Sequence, residues 1–348
     1  MVSCSTHHPY RSTSLLVTFI FRTFQEGYLS KRLLVFGEHQ MTFYCNTSSW
    51  MEALSGPETV KELSRTNWNT WSAKNSLYGP EPWGKGASYR SHRLFLELVE
   101  QYTRRNLRFD SDALRAFAGI TQRLQRSDPP IYNYAGLPFV PWSDLDARVK
   151  LVSLALSSEL YGDNRPPERR TAFPSWTWAG WKSSAIWREK VLLSGLDVYS
   201  CPVHNIYFES SSPPGTMASV RSNLSQDFLD GVCAIHLDIP LVLPKYLTTS
   251  ASVHGFYGLD SISEKIEDWC CVTTMEFLDN LAQGIWSCFL LGYQKLESSG
   301  YTVYNAFLLF VEWLDETTAV RIGGTRYQNT ALSPQVIETL KHKTIRLV

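Results

Sequence analysis

The sequence predicts an α+β protein, with a helical middle region that carries a Trp-rich strand motif, followed by a mostly antiparallel β C-terminal region. Three observations support this. Apolar residues between positions 90 and 160 recur at steps of three and four. Those after position 230 gather in β-branched and aliphatic runs, and nine of the twelve Trp fall between Trp50 and Trp187.

The first helix is expected over 90–105, where Leu94, Phe95, Leu98, Val99 and Tyr102 share one face and Arg and Glu fill the gaps. A second follows at once. Asp110 or Ser111 is placed to accept from the open amides of its first turn, Ala113, Leu114, Phe117, Ala118 and Ile120 form its apolar face, and Gly119 is a stop or a packing point. The third, over 144–160, opens on Ser143 and Asp146 in a capping-box arrangement and turns Leu145, Val149, Val152 and Leu156 inward. The pairs Asp110/Asp112 and Asp144/Asp146 suit helix starts, where the macrodipole favours negative charge.

Residues 209–226 are rich in Ser, Pro and Gly and read as an exposed linker or long loop. Strands follow at Val232–Val242, Ile285–Tyr293, Ala306–Trp313 and Ala319–Tyr327, with Asp315, Glu316 and Thr317 connecting the last two. A short last helix starts at Ser333 with Pro334 in its first position, where the missing amide costs nothing. The chain therefore divides into 1–40, 41–190, a Ser/Pro-rich linker over 191–230, and 231–348.

Charge is balanced, with 33 basic and 33 acidic side chains. That argues against a broad basic surface for nucleic acid or acidic lipid. The apolar run Leu15–Phe21 is much shorter than the ~20 residues of a membrane span, and no small-x-small cleavage site follows it. Seven scattered Cys, an odd number, fit reduced thiols better than a disulfide framework. The expectation is a cytoplasmic protein without membrane or nucleic-acid partners.

Gly79-Pro-Glu-Pro-Trp-Gly84-Lys85-Gly86 approaches a phosphate-binding loop, but Pro80 and Pro82 delete two amides and Gly86 offers no hydroxyl for magnesium. No nucleotide site is expected there. Cys201-x-x-His204 and Cys233-x-x-His236 supply zinc-ligand types; Pro202 permits a turn in the first pair, but the second lies in an expected strand, where residues three apart face opposite ways, so no metal is expected. In Phe173-Pro174-Ser-Trp176-Thr-Trp178-Ala-Gly180-Trp181 the indoles alternate as in a strand, and Gly180 leaves room for close approach. This motif reads as a structural aromatic cluster, since Trp buries a large area. The alternative is a carbohydrate-binding or hydrolytic protein that uses the indoles as a platform. A glycosidase needs two carboxylates, and none lies within 173–181.

That motif, with Arg169-Arg170 before it, resembles a hallmark of fungal heterokaryon-incompatibility (HET) domain proteins, in the region after the HET domain. Other stretches resemble the family in the same order. Thr23-Phe24-Gln25-Glu26 and then Leu29-Ser30-x-Arg32-Leu33-Leu34-x-Phe36 are similar to the end of the HET domain. Leu98-Val99-x-x-Tyr102-Thr103-x-Arg105-x-Leu107 and Asp112-Ala-Leu-x-Ala116-x-Ala-Gly119-Ile120 are similar to the helical block downstream, and Gly136-Leu137-Pro138 falls between that block and the Trp motif. The resemblance spans 23–182; Arg321-Ile322-Gly323 is similar only in style. The family's Tyr-x-x-Leu-Ser-Tyr-x-Trp-Gly and Asp-x-x-Cys-Ile-x-Gln blocks are absent, and Arg22 stands where the family has Trp.

The resemblance implies a truncated HET protein, retaining residues 1–40 as the end of that domain, through gene decay or a misplaced start. It implies a part in non-self recognition and programmed cell death, with protein partners. HET domains are similar to TIR domains, some of which cleave NAD with a glutamate, and by position Glu26 resembles that glutamate. The strands and loops that would surround such a glutamate are missing from the sequence. A non-catalytic protein without cofactor is therefore expected, NAD entering only with an intact HET domain.

Overall fold

The computed structural model describes residues 22–36, 41–45, 49–51, 87–105, 107–161, 167–187, 199–247, 274–298, 301–329 and 332–348. Helices and a mostly antiparallel sheet coexist in them, so the α+β expectation holds. The chain forms two compact units, Met1–Glu81 with Arg105–Arg108, and Pro82–Arg104 with Phe109–Val348.

In the first unit, helix α1 (Arg22–Leu29) precedes an antiparallel sheet of β1 (Arg32–Phe36), β2 (Met41–Cys45) and β3 (Ser49–Met51). Phe24 and Tyr28, one turn apart, are buried with ring centres 4.6 Å apart, and the Arg105 guanidinium lies 4.6 Å from the Phe24 ring centre.

The second unit starts with α2 (Ala87–Thr103), whose Phe95, Leu98, Val99 and Tyr102 are buried as their spacing requires. The next segment departs from the sequence reading. It is broken into 3-10 turns at Asp110–Asp112 and Arg115–Phe117 before α3 (Ala118–Gln125) begins. Asp110 caps nothing, because its carboxylate is held by Arg170 and Lys182. A short hairpin follows, β4 (Tyr132–Tyr134) with β5 (Leu137–Phe139). Helix α4 (Leu145–Leu156) is capped by Asp144, which accepts from the Ala147 amide at 2.7 Å. Ser143 instead donates to the Val140 carbonyl. Val149, Val152 and Leu156 are buried as expected, but Leu145 is 51% exposed, because the cap falls one residue later than the capping box required.

After the short strands β6 (Glu159–Tyr161), β7 (Glu168–Arg169), β8 (Trp181–Lys182) and β9 (Ser184–Ile186) comes the main sheet. It comprises β10 (Tyr199–Ser200), β11 (Asn205–Ser211), β12 (Pro214–Ser219), β13 (Val232–Val242), β14 (Trp286–Ser298), β15 (Tyr301–Trp313), β16 (Thr318–Asn329) and β17 (His342–Leu347). Their order is β10-β14-β15-β16-β17-β13-β11-β12, and β13 also pairs with β14, closing a circuit of five strands. The supposed linker is thus corrected. Residues 205–219 are a hairpin at the edge of this sheet, where one open side tolerates Ser, Pro and Gly. Helix α5 (Gln226–Asp230) leads from it into β13.

Residues 288–292 and 305–311 are buried without interruption, the mark of strands covered on both faces. On one face Cys288, Leu290, Leu308 and Phe310 join Phe277 and Leu281 of α6 (Thr274–Ala282) and Ile337 of α7 (Pro334–Ile337). Strand β13 keeps one face toward solvent at His236 and Asp238. The Asp315 carboxylate shapes the β15–β16 turn by accepting from the Thr317 and Thr318 amides at 2.8 and 2.6 Å.

One ion cluster spans β11, β13 and β17. Arg346 donates twice to Glu209, at 2.7 and 2.9 Å, and His236 Nε2 lies 2.7 Å from the same carboxylate. Arg346 first, then His236, hold the Glu209 carboxyl at about 2 against an ordinary 4.5. A depressed carboxyl stabilises the fold above pH 4.5 and loses that contribution as pH falls toward 2. Melting temperature should therefore drop more steeply between those pH values in the wild type than in Glu209→Gln. Parallel curves for the two proteins would show that the cluster adds nothing.

Candidate functional site

Residues 169–181 form a turn, buried from Ser175 onward, assembled from main-chain carbonyls and two arginines. The Pro174 carbonyl accepts from the Thr177 amide, and Thr177 caps the 3-10 turn Trp178–Gly180 through its hydroxyl. The motif is a turn and not the strand that its alternating indoles suggest, and only Trp181–Lys182 pairs, with Glu168–Arg169. The reason is local. Arg169 donates to the carbonyls of Gly180 (2.5 Å) and Phe173 (3.0 Å), while Arg170 donates through its guanidinium to the Ala179 and Trp181 carbonyls and through its amide to Gly180. These bonds use carbonyls that a ladder would need. Gly180 has no alternative at this point, since a Cβ there would overlap the Pro174 carbonyl and the Arg169 guanidinium.

The Trp side chains point inward. Trp176, Trp178 and Trp181 are 0%, 2% and 4% exposed. Phe173 and Pro174 are half-buried. Trp178 Nε1 donates to the Gly136 carbonyl at 2.5 Å, and its ring meets those of Tyr102 and Phe117 edge-on at 5.6 and 5.7 Å. Trp181 donates to the Ser175 carbonyl. Trp176 packs near Tyr134, and its N–H meets no partner among the described residues, a cost of ~1–3 kcal/mol offset by the area it buries. Indoles with no face in solvent cannot stack on a sugar, so burial removes the platform reading of this motif. The neighbouring acids are also committed: Asp110 to Arg170 and Lys182, Glu168 to Lys182. Lys182 and then Arg170 hold the Asp110 carboxyl below its ordinary range, so it is a poor proton donor.

The motif is also stitched to the sheet. Ser175 donates through its amide to the Val348 main-chain oxygen (3.0 Å) and accepts from the Arg321 amide at 2.9 Å. Arg321 is fully buried and donates to the carbonyl and hydroxyl of Ser158. Burial lowers its pKa to about 9, which still leaves it charged at neutral pH.

Of the other sequence-predicted residues, Glu26 lies in α1 with its side chain outside the described residues, as does the whole of 79–86. The two Cys/His pairs do not converge. The thiols of Cys201 and Cys233 turn to the Leu291 and Glu209 carbonyls, and His236 engages Glu209. Burial raises the Cys201 pKa and disfavours a thiolate ligand.

A cluster that sequence reasoning missed lies on the open face of β13. His204, Asp238 and His342 bring their ligand atoms within 4.8 Å of one another. The sequence marks His204 through its Cys-x-x-His spacing and Asp238 as a polar position in an otherwise apolar strand, but nothing in it joins them to His342, 104 residues beyond Asp238. Comparison with protein-family models, curated proteins and solved structures yields no match.

Two substitutions test the turn from opposite sides. Arg170→Lys keeps the charge but loses the planar fork, and should cost about 2–3 kcal/mol. Gly136 sits at φ +101°, and a Cβ there would stand 2.5 Å from Thr177 Oγ1 and 2.9 Å from Trp178 Nε1. Gly136→Ala should cost about 2–4 kcal/mol. Urea unfolding measures both, and a loss below about 0.5 kcal/mol in either variant would contradict the turn as a packing centre.

Proposed function

We propose that this chain is a HET-family protein of fungal non-self recognition, acting in the cytoplasm through protein contact and not as an enzyme. One observation supports the reading most. Of the segments that carry the resemblance, those within residues 98–182, separate along the chain, meet around Trp178. Tyr102 comes from the first helical stretch and Phe117 from the next, Gly136 accepts the indole N–H, and Arg169 and Arg170 close the turn from behind. Motifs that converge in one buried cluster behave as the signature of a shared fold, which is what membership of a family requires.

The same geometry favours a non-catalytic role. The motif's side chains are used in packing, and the carboxylates beside it are paired with cations. Among the described residues no helix is long and apolar enough to cross a membrane. On this reading the chain acts by contact with a protein partner, with cell death as the downstream consequence.

The reading has two tests. Purified protein should leave NAD unconsumed, and Glu26→Gln should behave identically; consumption lost in that variant would restore a catalytic role. In a filamentous fungus, fusion of strains that differ only in this gene should give compartments stained by a vital dye, and fusion of two strains lacking it should not. Equal viability in both crosses would contradict a function in non-self recognition.

A further inference from the structure

Asp238 lies on the solvent face of β13, and among the described residues its ion-pair partners are two imidazoles, with no guanidinium or ammonium. His204 Nδ1 stands 3.7 Å from one carboxylate oxygen and His342 Nδ1 3.3 Å from the other. The imidazole rings stack with centres 3.8 Å apart and planes 16° from parallel. Backbone pairing sets this arrangement. The His204 amide donates to the Asp238 carbonyl at 3.0 Å, and Asn205 and Thr344 flank Asp238 in the ladders of β11 and β17. Asp238 and His342 therefore sit on adjacent strands, and His204, the residue just before β11, is tied to Asp238 by its own amide.

We propose that His204, Asp238 and His342 form a binding site for a divalent transition-metal ion, with Zn2+ the best match. Two imidazole nitrogens and one carboxylate oxygen are a donor set that zinc accepts with a fourth position open to water, whereas calcium and magnesium prefer oxygen alone. Tetrahedral bonds of about 2.0–2.1 Å place ligand atoms about 3.3 Å apart along each edge. The nitrogen–oxygen separations of 3.3 and 3.7 Å lie at and just above that edge.

One movement is required. Stacked rings direct their lone pairs side by side, so one imidazole must tilt for both to meet an ion. His204 has the room: its side chain is 63% exposed, against 24% for His342. Each histidine would ligate through Nδ1 and keep its proton on Nε2, the tautomer opposite to the one that donates from His342 Nδ1 to Asp238. The neighbouring Glu209 cluster makes the contrast. Arg346 occupies both of its oxygens, so it is an ion pair with no vacancy for a metal. A bound ion would join the entry of β11 to β13 and β17, and so would couple metal binding to fold stability.

The test uses the full chain, dialysed against chelator and then titrated with Zn2+ by calorimetry, with Co2+ in parallel as a visible probe. One equivalent should bind with a dissociation constant on the order of micromolar, and saturating zinc should raise the melting temperature by a few degrees. The cobalt form should show the intense visible bands of four-coordinate geometry. His204→Ala, on the surface, and Asp238→Asn, of equal size, should each weaken binding at least about tenfold and abolish the melting shift, with unchanged circular dichroism. Absence of binding by the wild type, or undiminished binding by both variants, would overturn the assignment.

Discussion

The grip of Arg169 and Arg170 on the carbonyls of residues 173–181 is the constraint on which the second unit depends. Between them the two side chains and one amide take up the carbonyls of Phe173, Ala179, Gly180 and Trp181. With those oxygens satisfied, a non-repetitive turn can sit in the core, and its three indoles can point inward. Burying each Trp contributes on the order of 4–6 kcal/mol of gross transfer free energy. A carbonyl left bare in the same place would cost ~1–3 kcal/mol, enough to cancel much of one indole. Arginine suits this position because its planar fork reaches several acceptors at once.

The same device recurs. Arg148 is buried and donates to the carbonyls of Pro141, Ser143, Arg221 and Ser222, tying the start of α4 to the segment after β12. Arg321 does so for Ser158 and Gly323. Removing a charge from water costs several kcal/mol, and charge-assisted bonds to three or four carbonyls return ~1.5–3 kcal/mol each. Buried arginines serve here as cross-links, Arg148 between two loop segments and Arg321 from β16 to the Ser158 carbonyl. That is a scaffold's use of charge, and it fits a protein whose proposed work is contact.

Much of the fold was legible in the sequence because burial patterns are local. Val232–Val242 alternates as a half-covered strand should, and the unbroken runs after Cys288 and Asn305 announce two-sided burial. Strands β14 and β15 outrun their apolar cores, since pairing carries them on through polar residues as far as Ser298 and back from Tyr301. What was hidden is what long-range pairing decides. His342–Leu347 has weak strand character and becomes β17 because β13 is there to receive it. Ser-rich residues 205–219 become a hairpin for the same reason. The Trp motif was legible as packing but not as a turn, because period-two spacing does not reveal where Arg169 and Arg170 send their donors. The His204, Asp238 and His342 cluster exists only once β13, β17 and the entry to β11 are side by side.

Hydrogen exchange tests the central claim most directly. If the arginine-held turn is the packing centre, the amides of Arg170, Ser175 and Gly180, which donate to Gly180, Val348 and Thr177, should exchange only through global unfolding. Their opening free energies should then equal the unfolding free energy measured in denaturant. Exchange of these amides through a local opening, several kcal/mol below the global value, would show that the turn is a passenger on the sheet and not what holds the unit together.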